Sequence, residues 1–157
     1  MPPTEQQRSV VHSTFSLERS YPVLPRRVFA AFANQETKRR WFAEGEGWQV
    51  EEFTVDFRVG GREHARFRFA GGPPVENDTT YFDIMPDQRI VFAYSMTVGG
   101  ARISASLATV EIALAGAGAQ LIYTEQGAFF DGADQPAQRQ DGCRELLEKL
   151  AEELAAH

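Results

Sequence analysis

The chain closes with one long amphipathic helix, and almost everything from Trp48 to Phe130 before it reads as β-strand. That order limits the architectures sharply. From Pro136 onward, Cys143, Leu146, Leu147, Leu150 and Leu154 recur at helical spacing, with Arg144, Glu145, Glu148, Lys149, Glu152 and Glu153 between them. About twenty helical residues span roughly 30 Å, enough to cross a sheet. A run of antiparallel strands must bury one face, and a single helix with one apolar stripe offers the partner. The expectation is an α+β fold in which a curved antiparallel sheet of six or seven strands wraps around the C-terminal helix, an arrangement that tends to leave a cavity. Gly142 costs about 1 kcal/mol relative to Ala inside a helix. Either close approach to the sheet or room for a ligand would account for it.

The strands can be placed from alternation. Residues 10–21 alternate and put Phe15 and Leu17 on one face, and Pro22 and Pro25 end the strand. Pro25 suits the first turn of a helix whose inner face is Val28, Phe29 and Phe32. Asn34 is placed to cap a second short helix ending near Trp41-Phe42. A strand-like run from Trp48 to Val59 turns at Gly60-Gly61 into a second, in which Ala65, Phe67 and Phe69 share a face. Gly71-Gly72-Pro73-Pro74 is a turn, followed by a strand from Val75 to Met85, a tight turn at Pro86-Asp87, and clean alternation at Ile90, Phe92, Tyr94, Met96 and Val98. Beyond the Gly99-Gly100 hairpin, apolar parity moves from Ile103, Ala105 and Leu107 to Val110, Ile112 and Leu114, which predicts a β-bulge near Ala108-Thr109. The last strand places Leu121, Tyr123 and Glu125 together.

Composition excludes several functions. The 157 residues are expected to form a single domain with its core between about residues 10 and 155. The net charge of −6 opposes a phosphate-dominated nucleic-acid surface. The basic runs Arg26-Arg27 and Lys38-Arg39-Arg40 read as solvated outer faces of short helices. Neither a signal-peptide core nor a membrane-spanning run is read in the sequence, so the expected location is cytoplasmic, with no membrane partner. Cys143 is the only cysteine, which rules out an intrachain disulfide, and a small buried apolar residue is the first reading of it. The histidines His12, His64 and His157 form no metal-ligand pattern, and Gly60-Gly61 and Gly71-Gly72 are turns rather than phosphate loops. No metal, no cofactor and no catalytic residue is expected.

Several segments then resemble a known family. Arg19 with Pro25, Val28, Phe29 and Trp41 stands at the start. In the middle come Asp56-Phe57-Arg58-Val59-Gly60-Gly61-Arg62 and Pro86-Asp87-Gln88-Arg89-Ile90-Val91-Phe92. Near the end come Thr124-Glu125-Gln126-Gly127, Phe130-Asp131-Gly132 and Arg139-x-x-Gly142. In order and spacing these resemble proteins similar to the C-terminal domain of the activator of Hsp90 ATPase, within the START-like (SRPBCC, Bet v 1-like) helix-grip superfamily. The resemblance runs from about Phe15 to Leu154 and implies the helix-grip fold. Where the family often has Trp after the helix glycine, this chain has Cys143; where it often has Gly before a strand aromatic, this chain has Thr79 before Tyr81.

The candidate site is the space beneath the last helix. Trp41, Phe67, Phe69, Tyr94, Met96, Tyr123, Cys143 and Leu147 are expected to line it, with Arg19 and Glu125 as its polar groups. The plainer alternative is that the aromatics simply fill core and that Arg19 and Glu125 pair at the rim of the sheet. Three functions fit, in this order. The first is non-catalytic binding of a small hydrophobic or aromatic ligand. The second is a co-chaperone or stress-related protein-interaction module with a chaperone as partner, and the third a cyclase- or hydratase-like enzyme using the same cavity. The expected oligomeric state is monomer or homodimer.

Overall fold

The computed structural model describes residues 8–156, so His157 and the first seven residues lie outside the described part. Seven strands form one antiparallel sheet. They are β1 (Val10–Tyr21), β2 (Trp48–Val55), β3 (Arg62–Phe69), β4 (Val75–Met85), β5 (Arg89–Val98), β6 (Ala101–Ala115) and β7 (Gly118–Phe130). Three helices accompany them: α1 (Pro25–Ala33), α2 (Gln35–Lys38) and α3 (Pro136–Ala156), with a π-helical turn at Arg39–Ala43 after α2. The order across the sheet is β1-β7-β6-β5-β4-β3-β2. Hairpins join β2 through β7 in sequence, while the helices between β1 and β2 carry the chain from one edge to the other. The expected α+β helix-grip architecture is the one observed.

Local sequence explains the helix starts. Pro25 opens α1, and the Asn34 side chain accepts the Thr37 N–H at 3.0 Å to cap α2. The inner face of α1 is Val28, Ala31 and Phe32, with Phe29 only half-buried. One expected strand is shorter than its alternation implied: β2 stops at Val55, because Asp56 to Gly61 fold into the turn. There a Cβ on Gly61 would lie 2.1 Å from the Asp56 carbonyl oxygen, so the backbone closes only with glycine.

The sheet bends at three register shifts, between Val50 and Glu52, Tyr81 and Asp83, and Met96 and Thr97. In the last, β5 passes from Ser104 to Arg102 of β6, leaving Ile103 as the extra residue. The bulge therefore lies at Ile103, and pairing is continuous through Ala108-Thr109. The inward residues of β6 are Ser104, Ser106, Ala108, Val110 and Ile112, while Leu107 and Leu114 are exposed. Two inward serines disguised the true parity.

The core fills one side of the space between sheet and helix. Tyr21, Val28, Phe32, Val110, Leu121, Leu150 and Leu154 belong to a single buried cluster. Helix α3 buries Arg139, Cys143, Leu147, Leu150 and Leu154 and leans on β1, α1 and the π-turn. The Tyr21 hydroxyl donates to the Leu147 carbonyl at 3.0 Å and Arg27 to the Leu154 carbonyl at 3.1 Å. The C-terminal half of the helix is thus fastened to one edge of the sheet. Its N-terminal half bridges the concavity over β3, β4 and β5.

Candidate functional site

Beneath that bridging half lies a cavity of about 400 Å³, within the usual range for small-molecule sites. Its floor is the concave face of β3–β5 (Phe67, Asn77, Thr79, Phe92, Tyr94, Met96), its roof is α3 at Gln138 to Leu147, and the π-turn supplies Trp41 and Phe42. Trp41 is fixed by its indole N–H, which donates to the Ala31 carbonyl at 2.9 Å, and by an edge-on contact with Phe32 at 5.0 Å. Trp48 and Lys149 stand in the wall as well, and the Lys149 ammonium donates to the Glu44 carbonyl.

Gly142 faces this space. A Cβ placed there would meet no heavy atom within 4 Å, so close approach to the sheet does not account for the glycine. The neighbouring Cys143 also lines the cavity.

A polar network stands behind the aromatic wall. Glu125 is completely buried on β7, and one of its oxygens, Oε1, accepts from the Tyr94 hydroxyl at 2.7 Å and the Tyr123 hydroxyl at 2.6 Å. The Cys143 thiol sits 3.7 Å from the same oxygen. Arg139 meets the other oxygen at 3.4 Å and also donates to the Tyr94 oxygen at 3.0 Å, Ser104 Oγ at 2.8 Å and Asp134. Phe129 and Tyr94 cover its guanidinium at 5.2 and 5.6 Å. Ser104 thus faces inward on β6 because it receives Arg139. Burial pushes the Cys143 thiol up to about 12, with Glu125 adding to the rise. Burial first, and neighbouring acidic groups second, hold both tyrosines well above the ordinary phenol value.

A second buried pair lies at the other end. Lys38 is 4% exposed and donates to Glu63 Oε1 at 2.7 Å, which also accepts from the Tyr81 hydroxyl. Phe42 lies 4.8 Å from the ammonium. Lys38 therefore does not belong to a solvated face as its charge run implied. It sits three residues before Trp41 on the inward side of the short helix, and Glu63 shares the parity of Ala65; those spacings were the signals available in the sequence.

The structure brings together Trp41, Phe67, Tyr94, Met96, Tyr123, Cys143 and Leu147 around the cavity, with Glu125 immediately behind Tyr94 and Tyr123. Two expected residues lie elsewhere. Phe69 has the right parity, but it ends β3, 53% exposed and tilted against Trp48 at 5.0 Å. Arg19 faces inward near the edge of β1 and pairs with Glu148 on α3 at 3.0 Å, so it does not pair with Glu125. Glu125 pairs with Arg139 instead. Sequence reasoning did not name Lys38, Glu63, Asn77 or Arg139 as site residues. Arg139 lies four residues before Cys143 on the apolar stripe, which is where the stripe pointed.

The family model for activator of Hsp90 ATPase homolog 1-like proteins matches residues 22–156. Among solved structures, the chain is similar to the Mll3558 protein from Rhizobium loti, at 56% identity over 92% of this chain and 99% of that one, with a TM-score of 0.86. It is also similar to a putative uncharacterized protein from Rhizobium leguminosarum, at 37% identity over 96% and 99% of the chains, with a TM-score of 0.92. An AHSA1-like protein from Aeromonas hydrophila shares the fold at 20% identity and a TM-score of 0.69, over 92% of this chain and 93% of that one. Among curated proteins, no match is found.

Proposed function

The chain belongs to the activator of Hsp90 ATPase homolog 1-like family, and from that premise we propose that it binds a small hydrophobic or aromatic molecule, without transforming it, in the cavity under α3. The observation that carries this reading is the open space of about 400 Å³ walled by aromatic rings. Aromatic rings that line an open space are in contact with water, and an apolar ligand that covers them removes that surface from water. A filled interior would favour the second reading, a protein-interaction module of the chaperone kind; the open space is what favours a ligand.

One feature favours a catalytic alternative, namely the buried Glu125 beneath two cavity tyrosines. The wiring speaks for a structural role. Glu125 lies behind the wall, and both phenol protons are committed to it. Phenols whose pKa is raised are poor proton donors near neutrality. The network fixes the positions of the tyrosine rings and gives the cavity its shape.

Titration with a fluorescent hydrophobic probe tests the proposal. In Cys143→Trp the indole should occupy the space under the helix and weaken probe binding tenfold or more, about 1.4 kcal/mol. Thermal melting of the same variant should change little, since overpacking a filled core would cost about 1–3 kcal/mol. Unchanged probe binding in a folded Cys143→Trp protein would overturn the reading.

A further inference from the structure

The buried side-chain oxygens without a partner among the described residues are Asn77 Oδ1 and Ser106 Oγ, both sealed away from any ligand. The unanswered polar groups that another molecule can reach lie outside, along the free edge of β1. That strand runs antiparallel to β7 from Val10 to Tyr21 without a register shift. Just before it, the Ser9 carbonyl accepts the Asp131 N–H at 2.8 Å and so points at β7. Antiparallel pairs alternate between exchanging both backbone hydrogen bonds and exchanging none. Odd-numbered residues of β1 therefore bond to β7, while Val10, His12, Thr14, Ser16, Glu18 and Ser20 turn their N–H and C=O groups to the edge. All of these residues are exposed. Among the described residues, the one partner of those edge groups is the Arg19 guanidinium, 2.7 Å from the Glu18 carbonyl, and that oxygen keeps a second lone pair.

The opposite edge of the sheet is protected. On β2 the Gln35 side chain donates to the Phe53 carbonyl at 3.3 Å and accepts the Val55 N–H at 2.9 Å. A register shift between Val50 and Glu52 also kinks that strand. β1 has no proline, no lysine and no bulge, the usual devices that keep an edge from pairing. Val10 and Val11 at its start are each about half exposed.

We propose that the edge of β1 is a homodimer interface, where β1 of a second copy adds antiparallel about a two-fold axis and continues the sheet. Hydrogen bonding restricts the register. Even-numbered residues must face even-numbered ones, and the register that uses all of them places the axis at Phe15. Val10 then lies opposite the partner's Ser20, Thr14 opposite the partner's Ser16, and His12 opposite the partner's Glu18. The last pairing occurs on both sides of the axis and sets an imidazole N–H against a carboxylate. Strands β6 and β7 separate this edge from the β3–β5 floor of the cavity, so each copy keeps its ligand space.

Sedimentation equilibrium tests the interface. One strand from each copy makes a small contact, so the parent chain should pass from monomer to dimer over roughly 1–100 µM. The N–H of Thr14 points to the free edge, so Thr14→Pro removes nothing from the β1–β7 ladder but interrupts the new one. It should weaken the dimer tenfold or more and leave binding of the fluorescent hydrophobic probe unchanged. Thr14→Glu keeps the backbone donor and sets a carboxylate beside its symmetry mate and the partner's Glu18, and it gives the same readout should proline unfold the strand. His12→Glu should likewise weaken the dimer about tenfold, and adding Glu18→Lys should restore it. A parent chain still monomeric at about 1 mM would overturn the proposal and leave this edge to a strand of another protein. A dimer that survives both Thr14 variants would overturn it by placing the contact elsewhere. Weakening by the Thr14 variants but not by His12→Glu would support the edge and overturn the register.

Discussion

Lys38 and Glu63 illustrate how much single residues matter in this wall. Each is almost wholly buried, and the carboxylate serves both the ammonium and the Tyr81 hydroxyl. Removing one member of such a pair leaves an uncompensated buried charge, at a cost of about 3–5 kcal/mol. Lys38→Met should therefore destabilise the protein by that amount in urea denaturation, and Lys38→Met combined with Glu63→Gln should recover most of the loss. A Lys38→Met penalty below about 1 kcal/mol would mean the pair is solvated after all. Gly142 offers the opposite sign. Because a Cβ there meets nothing, Gly142→Ala should stabilise the protein by about 1 kcal/mol through helix propensity alone. Destabilisation would show that the helix approaches the sheet more closely than the geometry has it. At this scale the sequence was only partly legible. Tyr94, Tyr123 and Cys143 were readable from alternation and helical spacing. Lys38 and Asn77 were not, because a polar residue on an inward position looks like an error of parity until its partner, or its lack of one, is known.

At the scale of elements, α3 does two things along its length. From Leu147 to Leu154 it is clamped by Tyr21, Arg27 and the core beneath it; from Arg139 to Leu146 it roofs the cavity. Leu150 is completely buried and Leu147 nearly so, which makes Leu150→Ala and Leu147→Ala each cost about 2–5 kcal/mol in chemical denaturation. Losses below about 1 kcal/mol would mean the helix is not gripped. Helices and strands were legible because α3 from Cys143 onward and β5 from Ile90 onward keep a regular apolar spacing. The bulge was misplaced from sequence because Ser104 and Ser106 point inward, where Ser104 receives Arg139. A long-range partner on another element decided the parity of β6, and no local pattern carries that information. Similarly, β2 was read too long because Val59 looks strand-like, although it lies exposed in a turn.

For the molecule as a whole, the buried network couples stability to pH on the alkaline side. The Cys143 thiol is raised from its ordinary value of 9.0 to about 12, and Tyr94 and Tyr123 shift in the same direction. Below pH 9 these groups are neutral in both states and their contribution is complete. Above it the unfolded chain releases protons that the folded protein retains, so stability falls as pH rises from 9 towards 12. Between about pH 8 and pH 10.5 Cys143 alone should account for a loss of about 2 kcal/mol. Urea denaturation at the two pH values checks the total, and Cys143→Ala should remove one proton's share of the slope. A flat profile would contradict the burial of the network.

The central claim is that a small apolar molecule resides between the sheet and the bridging half of α3. Methyl-resolved NMR of the protein titrated with naphthalene locates the probe directly. The account predicts saturable shifts at Met96, Ile103 and Leu147, which line the cavity, with Val59, Leu107 and Leu114 unmoved on the outside. Shifts confined to the exposed methyls, with the cavity methyls silent, would contradict it.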